Sequence, residues 1–259
     1  MSGTPLLVVD GLCVDYGSGT KRRRVVDDVS FEIAAGETLG LLGESGSGKS
    51  TIGRAILGLV PVAGGRIWFE GTELSALTPR RRRAFGGRIR AVFQDPNSTL
   101  NPVRRVETAL VEGLRARDPE VKARASSLLA RMGLPADAGQ NFPAAFSGGQ
   151  RQRIAIARAL MSMPSLIVCD EPVTALDVSV QAQVLNILRD ARAATGVSYL
   201  FVGHDIEVVR YMSDRIAVLQ QGRIVETGHA DDIVRAPTHA YTQELLAAML
   251  TTAGGSVSD

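Results

Sequence analysis

The chain is poor in the residues that mark a secreted, metal-bound or membrane-embedded protein. Its two cysteines, Cys13 and Cys169, lie far apart with no second Cys or His beside them, so neither a disulfide framework nor a cysteine metal site is expected. A reducing compartment is the natural reading. No stretch approaches the roughly 18 apolar residues of a bilayer span, and the first ten residues hold no basic segment followed by a long apolar one. The chain is therefore expected neither to cross a membrane by itself nor to be secreted by a signal peptide. One tryptophan and four tyrosines stand against 27 glycines, which puts the special residues into tight backbone rather than aromatic packing. The net charge of +2 gives no broad electrostatic case for nucleic acid. With 45% hydrophobic and 22% charged residues the chain is neither disordered nor fibrous, and 259 residues suffice for one large α/β domain or two small ones.

What is present is an alternation of strands and helices. Leu6 to Val9 and Val25 to Ile33, separated at Gly17-Ser18-Gly19, read as antiparallel strands. Thr38 to Leu42 is a buried strand that ends at a glycine-rich turn, and Thr51 to Leu59 has helical spacing. Gly64-Gly65 then turns into a strand over Arg66 to Phe69. Thr108 to Met132 reads as helical with a break near Asp118-Pro119, and Arg151 to Met161 as a further helix. Leu166 to Cys169 and Tyr199 to Val202 are buried strands flanking a helix over Val180 to Ala194, and Ile216 to Val225 forms a hairpin across Gln221-Gly222. This order predicts an α/β fold with a mostly parallel sheet. The expectation is a single domain over residues 1–250, with a helical insert at about 95–160 and a disordered tail at 251–259.

Three segments carry chemistry. Gly43-Glu44-Ser45-Gly46-Ser47-Gly48-Lys49-Ser50 fills every position of the phosphate-loop pattern in the required strand–loop–helix setting. Its backbone amides can converge on phosphate oxygens, Lys49 supplies positive charge, and the Ser50 hydroxyl can ligate Mg²⁺. Asp170 and Glu171 emerge where a buried strand ends, the edge at which open α/β sheets bind ligands; Asp170 would hold the magnesium shell and Glu171 could act as general base on a water. The bland alternative is that they merely end a strand. Ser147-Gly148-Gly149-Gln150 opens a helix, and bare amides at a helix start form an anion site. A plain N-cap is the competing reading.

The ordered set of phosphate loop, Gln94, Ser147-Gly148-Gly149-Gln150, Asp170-Glu171, Ala175-Leu176-Asp177 and His204 resembles the nucleotide-binding domain of the ATP-binding cassette (ABC) family, from about Leu6 to Ile233. The resemblance implies a P-loop NTPase of ABC type: a mostly parallel core sheet, an antiparallel β-subdomain and a helical subdomain. It implies ATP and Mg²⁺ as cofactors, with Tyr16 stacking on adenine and Gly43, Ser45 to Gly48, Lys49, Ser50 and Thr51 around the phosphates. Ser50, Gln94 and Asp170 would serve the metal, and Glu171, His204, Lys49 and Gln94 the hydrolysis. Ser147 to Gln150 would reach a partner subunit's ATP across a head-to-tail pair, with Asp177 at the dimer interface.

Val92 to Pro102, Thr174 to Gln183 and His239-Ala240-Tyr241-Thr242 resemble the importers of dipeptides, oligopeptides and nickel, with Ala240 where that segment has proline. Phe146, Val173 and Gly203 are further departures that keep the phosphate-contacting atoms. The resemblance implies a peripheral subunit on the cytoplasmic side of the inner membrane. Its partners would be two membrane permease subunits, a second identical or homologous ATPase subunit and, indirectly, an extracytoplasmic solute-binding protein, with no nucleic acid. Peptides are the expected solute; nickel, or a soluble assembly role, are the alternatives. The basic runs Lys21 to Arg24 and Arg80 to Arg83 read as solvated faces, with contact to anionic lipid as the other possibility.

Overall fold

The computed structural model describes residues 4–17, 19–95, 99–114, 118–174 and 176–254, except for the side chains of residues 20 and 250–254. The chain divides into two compact units, Met1–Phe85 with Ser198–Asp259, and Gly86–Val197. In chain order the first unit carries strands β1 (Leu7–Tyr16), β2 (Arg23–Ile33) and β3 (Thr38–Leu42), helix α1 (Lys49–Leu57), strands β4 (Gly64–Phe69) and β5 (Thr72–Glu73) and the short α2 (Pro79–Arg82). The second unit holds β6 (Ile89–Phe93), α3 (Val106–Leu110), α4 (Pro119–Arg131), α5 (Gly148–Met161), β7 (Leu166–Asp170) and α6 (Val178–Thr195). The first unit then resumes with β8 (Ser198–Val202), α7 (Ile206–Met212), β9 (Arg215–Gln220), β10 (Arg223–His229), α8 (Ala230–Arg235) and α9 (Ala240–Gly254).

Within the first unit β2, β1, β4 and β5 form an antiparallel sheet in that order. β3 pairs parallel with β8 on one edge and with β9 on the other, and β10 closes the row antiparallel to β9. All five residues of β3 and of β8 are buried, which is why both read as unbroken apolar runs rather than alternating ones. The β9–β10 turn has Gln221 at φ 46° and Gly222 at φ 83°, the two-residue left-handed turn whose twist suits a hairpin. Helix α1 starts and stops two residues earlier than its apolar spacing suggests, because Gly48 (φ 109°) and Gly58 (φ 74°) adopt left-handed conformations at its two ends.

The second unit pairs β6 and β7 in parallel, with α4, α5 and α6 packed successively. It is wider than the expected insert at 95–160, since this strand pair and α6 cluster with the helices. The break near Asp118-Pro119 is a helix start: Pro119 occupies the first turn of α4, and the Asp118 carboxylate accepts the Glu120 N–H at 2.9 Å. The backbone of α9 continues through residues 251–254, and 255–259 lie outside the described residues. Among the described residues no helix is long and apolar enough to cross a membrane.

Three arginines of the basic runs are held locally, while Lys21, Arg23, Arg80, Arg81 and Arg83 are exposed. The Arg82 guanidinium donates to the carbonyls of Leu74, Ala55 and Ile56, so it caps the carboxyl end of α1, where a cation complements the helix dipole. Burial pulls its pKa below the usual arginine range. Arg24 and Arg22 both pair with Asp15; the hydrogen bond from Arg24 does most to hold that carboxyl below its ordinary value.

Candidate nucleotide site

In the first unit β3 delivers the chain to Gly43, where an added Cβ would lie 2.2 Å from the Leu219 carbonyl oxygen. Only glycine passes there. The Lys49 ammonium, nearly buried, donates to the carbonyls of Gly43 and Glu44 at 2.7 Å each. The loop is closed by the Ser47 N–H on the Glu44 carbonyl and braced from the β9–β10 turn by the Gly222 N–H on the Ser47 carbonyl at 2.9 Å. Helix α1 then begins at Gly48 with no side-chain cap. Its first turn lies at the positive end of the helix dipole, the end that favours an anion. Ser50 and the nearly buried Thr51 stand in that turn, while Ser45 and Gly46 are exposed. Tyr16, the last residue of β1, is exposed rather than packed. His204 is exposed between β8 and α7, and the cap of α7 is its neighbour Asp205, whose carboxylate accepts from the amides of Glu207 and Val208.

In the second unit the register of β6 and β7 sets Phe93 beside Asp170, so exposed Gln94 and the largely buried Asp170 leave the sheet at neighbouring strand ends. Glu171 follows at φ 50°, a left-handed conformation that strains a non-glycine residue and is concentrated at functional sites. Its carboxylate accepts the Thr174 hydroxyl at 3.1 Å. Gln152, which the sequence reading did not single out, lies buried in α5. Its Nε2 donates to the carbonyls of Phe93 at 3.1 Å and Pro172 at 2.7 Å. One amide side chain thus clamps the exits of both strands, and no sequence pattern marks it because its partners are 59 and 20 positions away.

The start of α5 carries a side-chain cap, as the competing N-cap reading expects. The Ser147 hydroxyl accepts the Gln150 N–H at 3.3 Å, and the Gln150 side chain accepts the Ser147 N–H at 2.9 Å, a reciprocal capping box. The two glycines between them differ. A Cβ on Gly149 would stand 2.5 Å from Val180 Cγ1 in α6, whereas one on Gly148 would meet nothing within 4 Å. Asp177 caps α6, accepting from the Val180 N–H at 3.0 Å and the Ser179 hydroxyl at 2.7 Å. The Val180 amide, then the Ser179 hydroxyl, hold its carboxyl below the ordinary range. Residues 96–98 and 175, part of the glutamine-loop and Asp177 motifs, lie outside the described residues.

Among the described residues no group of three or more His, Cys, Asp or Glu could hold a metal.

The family model for ABC transporters matches residues 26–174. A protein of Brucella ovis, provisionally named a peptide import ATP-binding protein, is 46% identical over 96% of this chain and 80% of its own length. The dipeptide transport ATP-binding protein DppF of Lactococcus lactis is 44% identical over 93% of this chain and 80% of its own. Among solved structures, the dimeric post-hydrolysis state of the ATP-binding cassette MJ0796 bound to ADP and Pi aligns with a TM-score of 0.78 at 28% identity, covering 86% of this chain and 98% of that one. With the family model matching over more than half of its length and relatives 44–46% identical over nearly all of it, the chain belongs to the ABC transporter family.

Proposed function

We propose that the chain is the ATP-hydrolysing subunit of an importer of di- or oligopeptides, acting at the cytoplasmic face of the inner membrane through two separate permease subunits and fed by an extracytoplasmic binding protein. The observation that carries the ATPase part is the phosphate loop, with its lysine seated on the loop's own carbonyls and a helix start that no side chain caps. The names of the relatives favour peptides over nickel.

In this reading Lys49 and the amides of Gly43 to Ser50 bind the phosphates, with Thr51 beside them, and exposed Tyr16 offers its ring to adenine. Ser50, Gln94 and Asp170 would hold Mg²⁺, which when bound neutralises phosphate charge. Glu171 takes the proton of the attacking water as general base, and His204 contacts the terminal phosphate. Ser147 to Gln150 serve the ATP of a second ATPase subunit, identical or homologous, with Asp177 at that interface. Gly148, which has room around it and no need of a special backbone angle, is suited to approach by such a ligand.

Replacing Glu171 by Gln tests the reading. ATP affinity is expected to stay within about threefold while turnover falls about 10²–10⁴-fold, the usual contribution of a general base, and ATP-dependent dimers accumulate on size exclusion. Normal hydrolysis by this variant would overturn the assignment of the base.

A further inference from the structure

His239-Ala240-Tyr241-Thr242 entered the reading only as a likeness, yet the structure brings it to the phosphate loop. Tyr241 stands in the first turn of α9, buried, and its hydroxyl oxygen accepts the Glu44 N–H in a long hydrogen bond of 3.4 Å. That N–H belongs to the same peptide group as the Gly43 carbonyl, which accepts the Lys49 ammonium at 2.7 Å. One peptide plane is held at both ends, by a cation on its oxygen and a phenol on its nitrogen. A phosphate loop works through the direction of its amides, so whatever fixes this plane fixes the entry to the loop.

Tyr241 is itself held firmly. The Glu226 carboxylate on β10 accepts the Thr238 N–H at 2.7 Å, the Thr238 hydroxyl at 2.8 Å and the His239 N–H at 3.2 Å. The His239 Nδ1 accepts the Tyr241 N–H at 3.2 Å. Burial alone would raise the Glu226 carboxyl, but the donors around it, those of Thr238 and His239 among them, hold it below the ordinary range, so it stays charged near neutral pH. The start of α9 is thereby pinned to β10, the strand that follows the Gly222 turn bracing Ser47.

We propose that Tyr241 is a positioning residue for nucleotide binding, its hydroxyl holding the Gly43–Glu44 peptide in the orientation that receives phosphate, so that α9 sets the affinity of the loop. This rests on the reading of residues 43–50 as the ATP site. The ring packs with or without its oxygen, so Tyr241→Phe removes the grip on the loop and leaves the packing.

The experiment compares the full chain with Tyr241→Phe and Lys49→Ala. It measures MgATPγS binding by calorimetry, steady-state ATP hydrolysis, Tm, and amide exchange across the first unit. For Tyr241→Phe, Kd and KM are expected to rise about threefold to tenfold, the range of one lost hydrogen bond. Turnover should stay within about twofold, Tm within about 2 °C, and faster exchange should be confined to residues 43–49. Unchanged affinity and exchange would overturn the proposal. So would an affinity loss accompanied by a fall in Tm and faster exchange throughout the unit, which is the mark of packing alone. If Lys49→Ala binds MgATPγS like the unaltered chain, the ATP-site reading itself fails; if it loses binding while Tyr241→Phe does not, only the positioning role fails.

Discussion

Two helix starts in this chain are rich in serine and glycine, and they are built in opposite ways. Helix α1 begins at a glycine whose left-handed backbone brings the chain around but which has no side chain to cap the first turn. Helix α5 begins at a serine that uses its hydroxyl and the Gln150 side chain to satisfy two of its own amides. The first end lacks a side-chain acceptor and so gains most from an anion; the second is stable by itself, and an anion arriving there finds part of the valence taken. A sequence rule that reads any Ser-Gly-Gly turn as an anion site misses this distinction. It follows that nucleotide should bind strongly to the α1 end of an isolated chain and engage the α5 end only in a pair that supplies additional contacts.

Substitutions sharpen the contrast, and the largest effect falls on α1. Gly48→Ala places a Cβ 2.8 Å from the Val25 carbonyl oxygen at φ 109°, and should destabilise the chain by about 2–3 kcal/mol and remove ATP binding, checked by thermal melts with and without MgATP. Gly149→Ala drives a methyl into Val180 and should lower stability by about 2 kcal/mol, with ATP affinity of the single chain unchanged in a binding titration. Ser147→Ala loses the cap, about 1 kcal/mol; in a chain of this size Tm should fall by roughly 2–4 °C. Gly148→Ala is the smallest in stability, within about 0.5 kcal/mol, yet ATP-dependent dimers and hydrolysis should fall with it. If Gly148→Ala hydrolyses normally, the α5 start is a cap and nothing more.

The parts of the fold that the sequence made legible are those written in contiguous residues. β3 was readable to the residue, since an unbroken apolar run ends at a glycine that only a turn explains. The phosphate loop and the carboxylates at the end of β7 stood out in the sequence because such chemistry calls for residue types at fixed spacing. What escaped were the contacts between distant segments. Arg82 looked like one of four solvated arginines until its guanidinium was found on the carbonyls of α1. Gln152 resembled any polar residue on a helix, and the strain at Glu171 leaves no trace in composition. Helix α1 was misplaced by two residues for a smaller reason of the same kind: apolar spacing locates a helix face, whereas a backbone angle at Gly48 decides where the helix begins.

The bracing of the phosphate loop has a consequence for synthesis on the ribosome. The loop's supports come from Gly222 and from Tyr241, the latter 197 positions beyond Glu44. A nascent chain exposed as far as residue 200 carries the whole motif but neither support. Because contacts of such long sequence separation form late, the loop should gain its nucleotide-ready shape only once Gly222 and Tyr241 have both emerged, and products terminated before them should carry the motif without competing for ATP.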